Sequence, residues 1–221
     1  MSTGTILEAA MKTPIRVQAG TVIQPHELIT IGFESIWVPD RRRLVHLQFR
    51  RFAGCPVCDL HMHSIIQRHE QIVAASIQEV VVFHSTAEEL SRYAGDLPLA
   101  IVADPHKRLY AEFGVGSGSR ALLDPRAWLP ILRGVSRSVG AIVRRRQPVP
   151  SVNPEGGRFG LPADFLIASD GRVVACKYGS HAYDQWSVDE LLALSRYRDS
   201  DCPAVSLASS AGPVQRGRHE G

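Results

Sequence analysis

The stretch FRRFAGCPVCDLHMHSI places Cys55 and Cys58 two residues apart, with His61 and His63 behind them and Arg50 and Arg51 ahead. Such a pair cycles between dithiol and disulfide, ligates a metal, or packs as two small side chains that do nothing chemical. The redox reading has a definite electrostatic logic. With Cys55 as a helix N-cap and Pro56 as the first helical residue, the missing proline N–H costs nothing. The unpaired N–H groups and the positive end of the helix dipole then favour a thiolate at Cys55. Arg50 or Arg51 adds to that if either points inward. Cys58, one turn along, is placed to attack a sulfur or a sulfenic acid formed at Cys55.

The metal reading needs Cys55, Cys58 and His61, which leaves it one ligand short of a closed structural zinc site. His63 turns away with Gln67 and Glu70, and His46 completes the set only if it points at the helix start. Redox chemistry therefore leads, no cofactor is expected, and His61 reads as a polar residue lining the site rather than a base.

The elements that position this segment follow from hydrophobic spacing. LITI and SIWV, either side of a short turn, predict an N-terminal hairpin, and LVHLQF (44–49) predicts a strand running into the cysteines. Apolar residues at Met62, Ile65, Ile66, Ile72 and Val73 predict one helix from the cysteines to about Ala75. EVVVFHS (79–85) has the near-continuous apolar run of a buried parallel strand. Thr86 to Glu89 is a capping box opening a helix, and LAIVAD (99–104) is a further strand. Asp104 and Pro105 then read as the cap and first residue of another helix. ADFLIA (163–168) and RVVACKY (172–178) form a hairpin about an SDG turn, and Ser187 to Glu190 is a second capping box. Strands alternating with helices and closing in a hairpin plus helix predict an α/β fold with a mixed sheet.

Domain boundaries are expected as an N-terminal extension over 1–27, one domain over 28–198 and a disordered tail over 199–221. Residues 115–160 interrupt the pattern with a Gly/Ser-rich loop, one or two amphipathic helices around Trp128 to Val143 and a Pro/Gly-rich return. That insertion has the apolar surface to cover a pocket or to pair two copies of the chain as a homodimer. The 221 residues are 44% hydrophobic with a net charge of only +3, so no basic field argues for nucleic acid. Arg41–Arg43 and Arg144–Arg146 read as solvated runs. Neither a secretory signal nor a membrane-spanning run of about 20 apolar residues is visible, so a cytoplasmic protein is expected. In that compartment four cysteines point to redox or metal chemistry rather than to a disulfide framework.

With the CPVC helix, the strand order and Leu161-Pro162 in view, the chain resembles the thioredoxin superfamily over residues 28–198. More narrowly it is similar to AhpC/TSA-type peroxiredoxin-like proteins of the peroxiredoxin-like 2 group. The resemblance implies a thioredoxin-like fold with a peroxiredoxin-type strand–helix unit, IVADPHKRLYAEFGV, and an extra helical insertion. It also implies a cis bond before Pro162, which would shape the groove beside the dithiol. Two departures stand out. The threonine that peroxiredoxins carry three residues before the attacking cysteine is Cys55 when counted from Cys58, and their arginine near position 162 is a proline. Arg50, Arg51, Arg120 and Arg158 are the candidate replacements. The peroxiredoxin pattern makes Cys58 the attacking thiol, whereas the thioredoxin pattern and helix electrostatics favour Cys55, which is the assignment adopted.

The function expected is reduction of a peroxide-type O–O bond in a small or organic substrate by a Cys55–Cys58 cycle, with a thioredoxin-like reductant restoring the thiols. Exchange with protein disulfides is the runner-up, and a metal-binding or redox-sensing module built on Cys55, Cys58 and His61 comes third. His181, Asp184 and Trp186 read as turn and packing residues. Cys176 reads as an inert strand thiol and Cys202 as incidental.

Overall fold

The computed structural model describes residues 16–52, 56–94, 97–116 and 160–196. The expected insertion and the tail therefore fall largely outside the described residues, as do Arg120 and Cys55.

The chain opens with a hairpin, β1 (His26–Ile29) and β2 (Ser35–Val38), paired from His26 against Val38 to Ile29 against Ser35. The main sheet holds β3 (Leu44–Arg50), β4 (Ile77–Phe83), β5 (Ala100–Ala103), β6 (Ala163–Ile167) and β7 (Val173–Tyr178) in the order β5-β4-β3-β6-β7. β3, β4 and β5 run parallel, and β6 and β7 return antiparallel. The sheet is thus mixed, with the cysteine-bearing connection leaving its central strand. Every residue of β3 is buried, as a strand covered on both faces requires.

α1 (Pro56–Gln67) and α2 (His69–Ala74) replace the single helix expected to Ala75. Arg68 makes the break: its backbone leaves helical geometry, and its guanidinium bonds Asp189 at 2.6 Å and Gln71 at 2.8 Å. α3 (Ala87–Ala94) starts where the Thr86 hydroxyl accepts the Glu89 N–H at 3.3 Å. α4 (Arg108–Glu112) begins later than Pro105, behind Lys107 in the left-handed region at φ 55°. Asp104 caps it all the same, taking the Arg108 and Leu109 N–H groups at 2.9 Å each. α5 (Val188–Arg196) carries a complete capping box: Ser187 N donates to Glu190 at 2.7 Å, and Glu190 N donates back to the Ser187 hydroxyl at 3.2 Å.

The two faces of the sheet are packed differently. One is wholly apolar, with Val45, Leu47, Phe49, Val80, Val82 and Phe165 under Tyr110 and Phe113. The rings of Phe49 and Phe165 meet edge to face at 5.7 Å, and Phe113 and Phe165 at 5.1 Å. The other face, under α1, α2, α3 and α5, has two separate apolar clusters, one holding Cys58, Met62 and Leu90, the other Ile65, Ile72 and Leu191. A polar layer occupies the space on the strands between them.

Phe165 stands at the centre of the aromatic face and is fully buried. Phe165→Ala is expected to lower unfolding stability by about 3–5 kcal/mol in a urea titration. A loss under 1 kcal/mol would show that this cluster does not hold the sheet.

Candidate active site

β3 delivers the chain to the carboxyl end of the sheet, through buried Arg51 and Phe52, and α1 starts at Pro56. Cys58 therefore lies in the first turn of α1. It is 5% exposed and packs with Phe52, Met62, Val81 and Phe83. Pro56 does open the helix, which puts Cys55 at the position immediately before it in the chain.

One turn further, His61 meets the polar layer. Inward-facing His46, Gln48 and Arg50 of β3 share it with Glu79 of β4 and Asp164 of β6, all buried. Register brings these together, since His46 is the cross-strand partner of Glu79 and Gln48 that of Asp164. Arg50 Nη2 shares its two hydrogens among Asp164 Oδ1 at 2.6 Å, Gln48 Oε1 at 2.5 Å and His61 Nε2 at 3.0 Å. His46 Nδ1 donates to Glu79 Oε2 at 2.9 Å, and Gln48 Nε2 donates to the same oxygen. His46 Nε2 lies 3.4 Å from Asp164 Oδ1, an ion-pair distance without hydrogen-bond geometry. The second Asp164 oxygen accepts the Trp186 backbone N–H at 3.1 Å, and the Trp186 ring stacks on His46 with centroids 5.7 Å apart.

The electrostatics follow from this arrangement. Burial would raise the Asp164 carboxyl, but the Arg50 charge and the His46 ring outweigh it and hold the group well below the usual carboxylate range. Burial likewise opposes charge on His46, yet Glu79 and Asp164 prevail and raise it to about 9. His61 goes the other way: burial and the Arg50 charge push it well below 6.5, leaving a neutral ring. Because its Nε2 accepts from Arg50, the ring proton sits on Nδ1. His61 is thereby tied to the layer as an acceptor.

Arg50 does point inward, but its charge is committed to Asp164, which weakens the case for it as the thiolate's partner. Arg51 is buried at the same end, with its guanidinium carbon 5.4 Å from the Phe52 ring centroid. Pro162 is buried there too, but its peptide bond is not the expected cis one: among the described residues the cis bond is Val38–Pro39. What anchors Pro162 is Gly179, whose N–H donates to the Pro162 carbonyl at 2.8 Å. A Cβ on Gly179 would come within 2.7 Å of Pro162 Cγ and 2.5 Å of the Asp184 carbonyl, so only glycine fits that contact.

The remaining candidates serve structure. Asp184 takes the Ser180 N–H and hydroxyl at 2.8 and 2.7 Å and pairs with Lys177 at 3.0 Å. These partners offset burial and hold its carboxyl down to about 2. His181 accepts the Tyr183 N–H within the same turn. Cys176 is only partly buried on β7. His63 bonds Gln67 at 2.9 Å on the outer side of α1. Glu79 and Arg50 occupy one ring nitrogen each of His46 and His61. Among the described residues no group of three His, Cys, Asp or Glu side chains is placed to hold a metal ion.

Known proteins share this scaffold. Peroxidoxin BcpB from Mycobacterium tuberculosis superposes with a TM-score of 0.59 at 16% identity, covering 82% of this chain and 98% of that one. A peroxiredoxin-like protein from Aquifex aeolicus gives 0.54 at 12% identity, covering 84% and 90%. A cysteine-to-serine mutant of peroxiredoxin 6 from Arenicola marina gives 0.55 at 14%, covering 81% and 72%. At such identities the likeness is one of fold, and the thioredoxin-like peroxiredoxin fold is what it shows. Comparison with curated protein sequences gives no match. The family model described as AhpC/TSA antioxidant enzyme matches residues 64–181, just over half of the chain. The chain belongs to the AhpC/TSA antioxidant enzymes. It is accordingly an oxidoreductase with thiol-dependent redox chemistry. The matched stretch begins at Ser64, so it leaves out β3 and both Cys55 and Cys58 of this AhpC/TSA protein. No helix among its described residues is long and apolar enough to cross a membrane.

Glu79, Asp164 and Gln48 were not singled out by the sequence reading. The available signal was a polar residue on the inward parity of an otherwise apolar strand, as in LVHLQFR, IQEVVVF and ADFLI.

His46, raised from 6.5 to about 9, contributes stability that is fully present below pH 6.5 and lost as pH rises through 9. Asp164, lowered, contributes above about pH 4 and loses that contribution as pH falls further. Unfolding stability should therefore fall by up to about 3 kcal/mol between pH 6.5 and 9.5 in urea titrations, and His46→Gln should flatten that slope. An equal slope in both proteins would remove His46 as its source.

Proposed function

We propose that this enzyme reduces peroxide-type O–O bonds through a Cys55–Cys58 dithiol cycle. In the scheme, the Cys55 thiolate attacks the terminal oxygen, the O–O bond breaks, and a sulfenic acid and an alcohol or water result. Cys58 then condenses with the sulfenic acid, releasing water and forming a disulfide, which a thioredoxin-like dithiol reduces. The observation that carries this reading is Cys58 itself, buried in the first turn of a helix that springs from the central strand and begins with proline. A shielded thiol one turn into the helix suits the resolving role, and the position just before Pro56 suits the attacking one. Membership of the AhpC/TSA enzymes supports a peroxide as the oxidant. Arg51 is the better-placed of the two adjacent arginines to support the thiolate, since Arg50 is paired with Asp164. Pro162 would line the groove opposite.

The test is intact mass and thiol count of the reduced protein before, and within seconds after, one equivalent of hydrogen peroxide. Loss of two hydrogens, mapped to a Cys55–Cys58 bridge, is expected. Cys55→Ser should abolish turnover, at least a thousandfold, and Cys58→Ser should permit one slow reaction without cycling. Normal turnover in both variants would sink the scheme. Inertness to peroxides with fast exchange against disulfides would replace it with a thiol–disulfide oxidoreductase.

A further inference from the structure

His84 follows the last residue of β4, at the same end of the sheet as Arg51 and the start of α1, and its backbone N–H bonds the Arg51 carbonyl at 3.2 Å. Its side chain is buried, yet neither ring nitrogen has a hydrogen-bond partner. A buried imidazole with both nitrogens unmet is expensive, and a fold that keeps one there needs a reason. The surroundings supply one. The Tyr110 ring meets His84 edge to face at 5.8 Å, and the Tyr110 hydroxyl, bonded to the Arg50 and Val82 carbonyls, lies within electrostatic reach of Cys58. Gly160 packs over Nε2 so closely that a Cβ there would lie 3.2 Å from that nitrogen and 3.7 Å from Arg51 Cγ. The missing side chain at 160 thus keeps carbon off the nitrogen.

We propose that His84 is the substrate-oxygen contact of this enzyme, donating one ring N–H to the leaving oxygen of a hydroperoxide. The assignment rests on the peroxide reading above. As the cysteine sulfur bonds the terminal oxygen, the O–O bond breaks and its electron pair goes to the proximal oxygen. That oxygen becomes an alkoxide, takes a proton from solvent and leaves as the alcohol, while the cysteine is oxidised to the sulfenic acid. His84 stabilises the alkoxide by hydrogen bonding and keeps its own proton. Burial, Lys107 and Arg51 push the ring down to about 4, so it is neutral near pH 7 and offers one donor and one acceptor.

Two variants separate this role from a structural one. His84→Phe keeps a ring and removes both unmet nitrogens, so its melting temperature should equal or exceed that of the parent. Its rate with tert-butyl hydroperoxide should fall roughly ten- to a hundredfold. Its reaction with iodoacetamide, which has no leaving oxygen, should change less than about twofold. Gly160→Ala should slow the peroxide reaction in the same direction by crowding Nε2. A lower melting temperature with an unchanged peroxide rate in His84→Phe would overturn the proposal. An independent readout uses the Cys55→Ser/Cys58→Ser double variant, in which tert-butyl hydroperoxide should move the His84 ring ¹⁵N resonances in a saturable way. Unmoved resonances, alongside turnover by the parent protein, would sink the oxygen contact and leave the peroxide chemistry standing. Moved resonances with no turnover would do the reverse.

Discussion

Charge without water is the constraint around which this molecule is arranged. Arg50 and Asp164 face each other at 2.6 Å in the middle of a sheet, both with fully buried side chains. Neither could be there alone, because an uncompensated buried ion costs several kcal/mol. His46 and Glu79 make the second half of the same bargain one residue pair further down the strands. The layer joins β3, β4, β6 and α1 at one level, where an apolar core would join them through contacts that tolerate sliding. Hydrogen bonds with fixed partners do not tolerate it. The cysteine helix inherits that fixity through His61, whose Nε2 is held by Arg50.

Most of the fold was legible in the chain. Strand β4 announced itself by a near-continuous apolar run and β3 by its compact strand pattern, and helices start where Thr86 and Ser187 predicted, the second with a reciprocal capping box. Local rules worked because local interactions decide those features. The break at Arg68 was not legible, since the hydrophobic period continues through it; its guanidinium instead reaches Asp189, far along the chain. The Leu161–Pro162 expectation came from resemblance, and the backbone there is held by the Gly179 N–H. At the site, the cysteine helix could be read from sequence. The Asp164 partnership could not, because pairing across an antiparallel register is invisible until the strand order is known. His84 carried no motif at all; what marks it is a lack of partners, which only packing reveals.

Family and chemistry are written in different parts of this protein. The residues that identify an AhpC/TSA enzyme start after Cys58, in the helix, sheet and C-terminal loops. The two cysteines proposed as the reactive pair come before that point. The common fold gives both segments one meeting place, the carboxyl end of β3 and β4, where loops can change without disturbing the packed layers below. Arg51, His84, Gly160 and Pro162 reach that end from three separate stretches of chain.

The distance along the chain between the two central charges sets the order in which the protein can come together. Arg50 and Asp164 are separated by 114 positions, and β6 pairs with β3 only when that later strand arrives. As the polypeptide emerges from a ribosome, β3, β4 and β5 can approach one another long before the carboxylate that neutralises Arg50 exists. Closing the core early would bury that guanidinium without its counterion, at the cost of an unpaired charge, until Asp164 is made. A product truncated before β6 would keep that cation and lack its partner, and would favour an open, readily degraded state over a misfolded compact one.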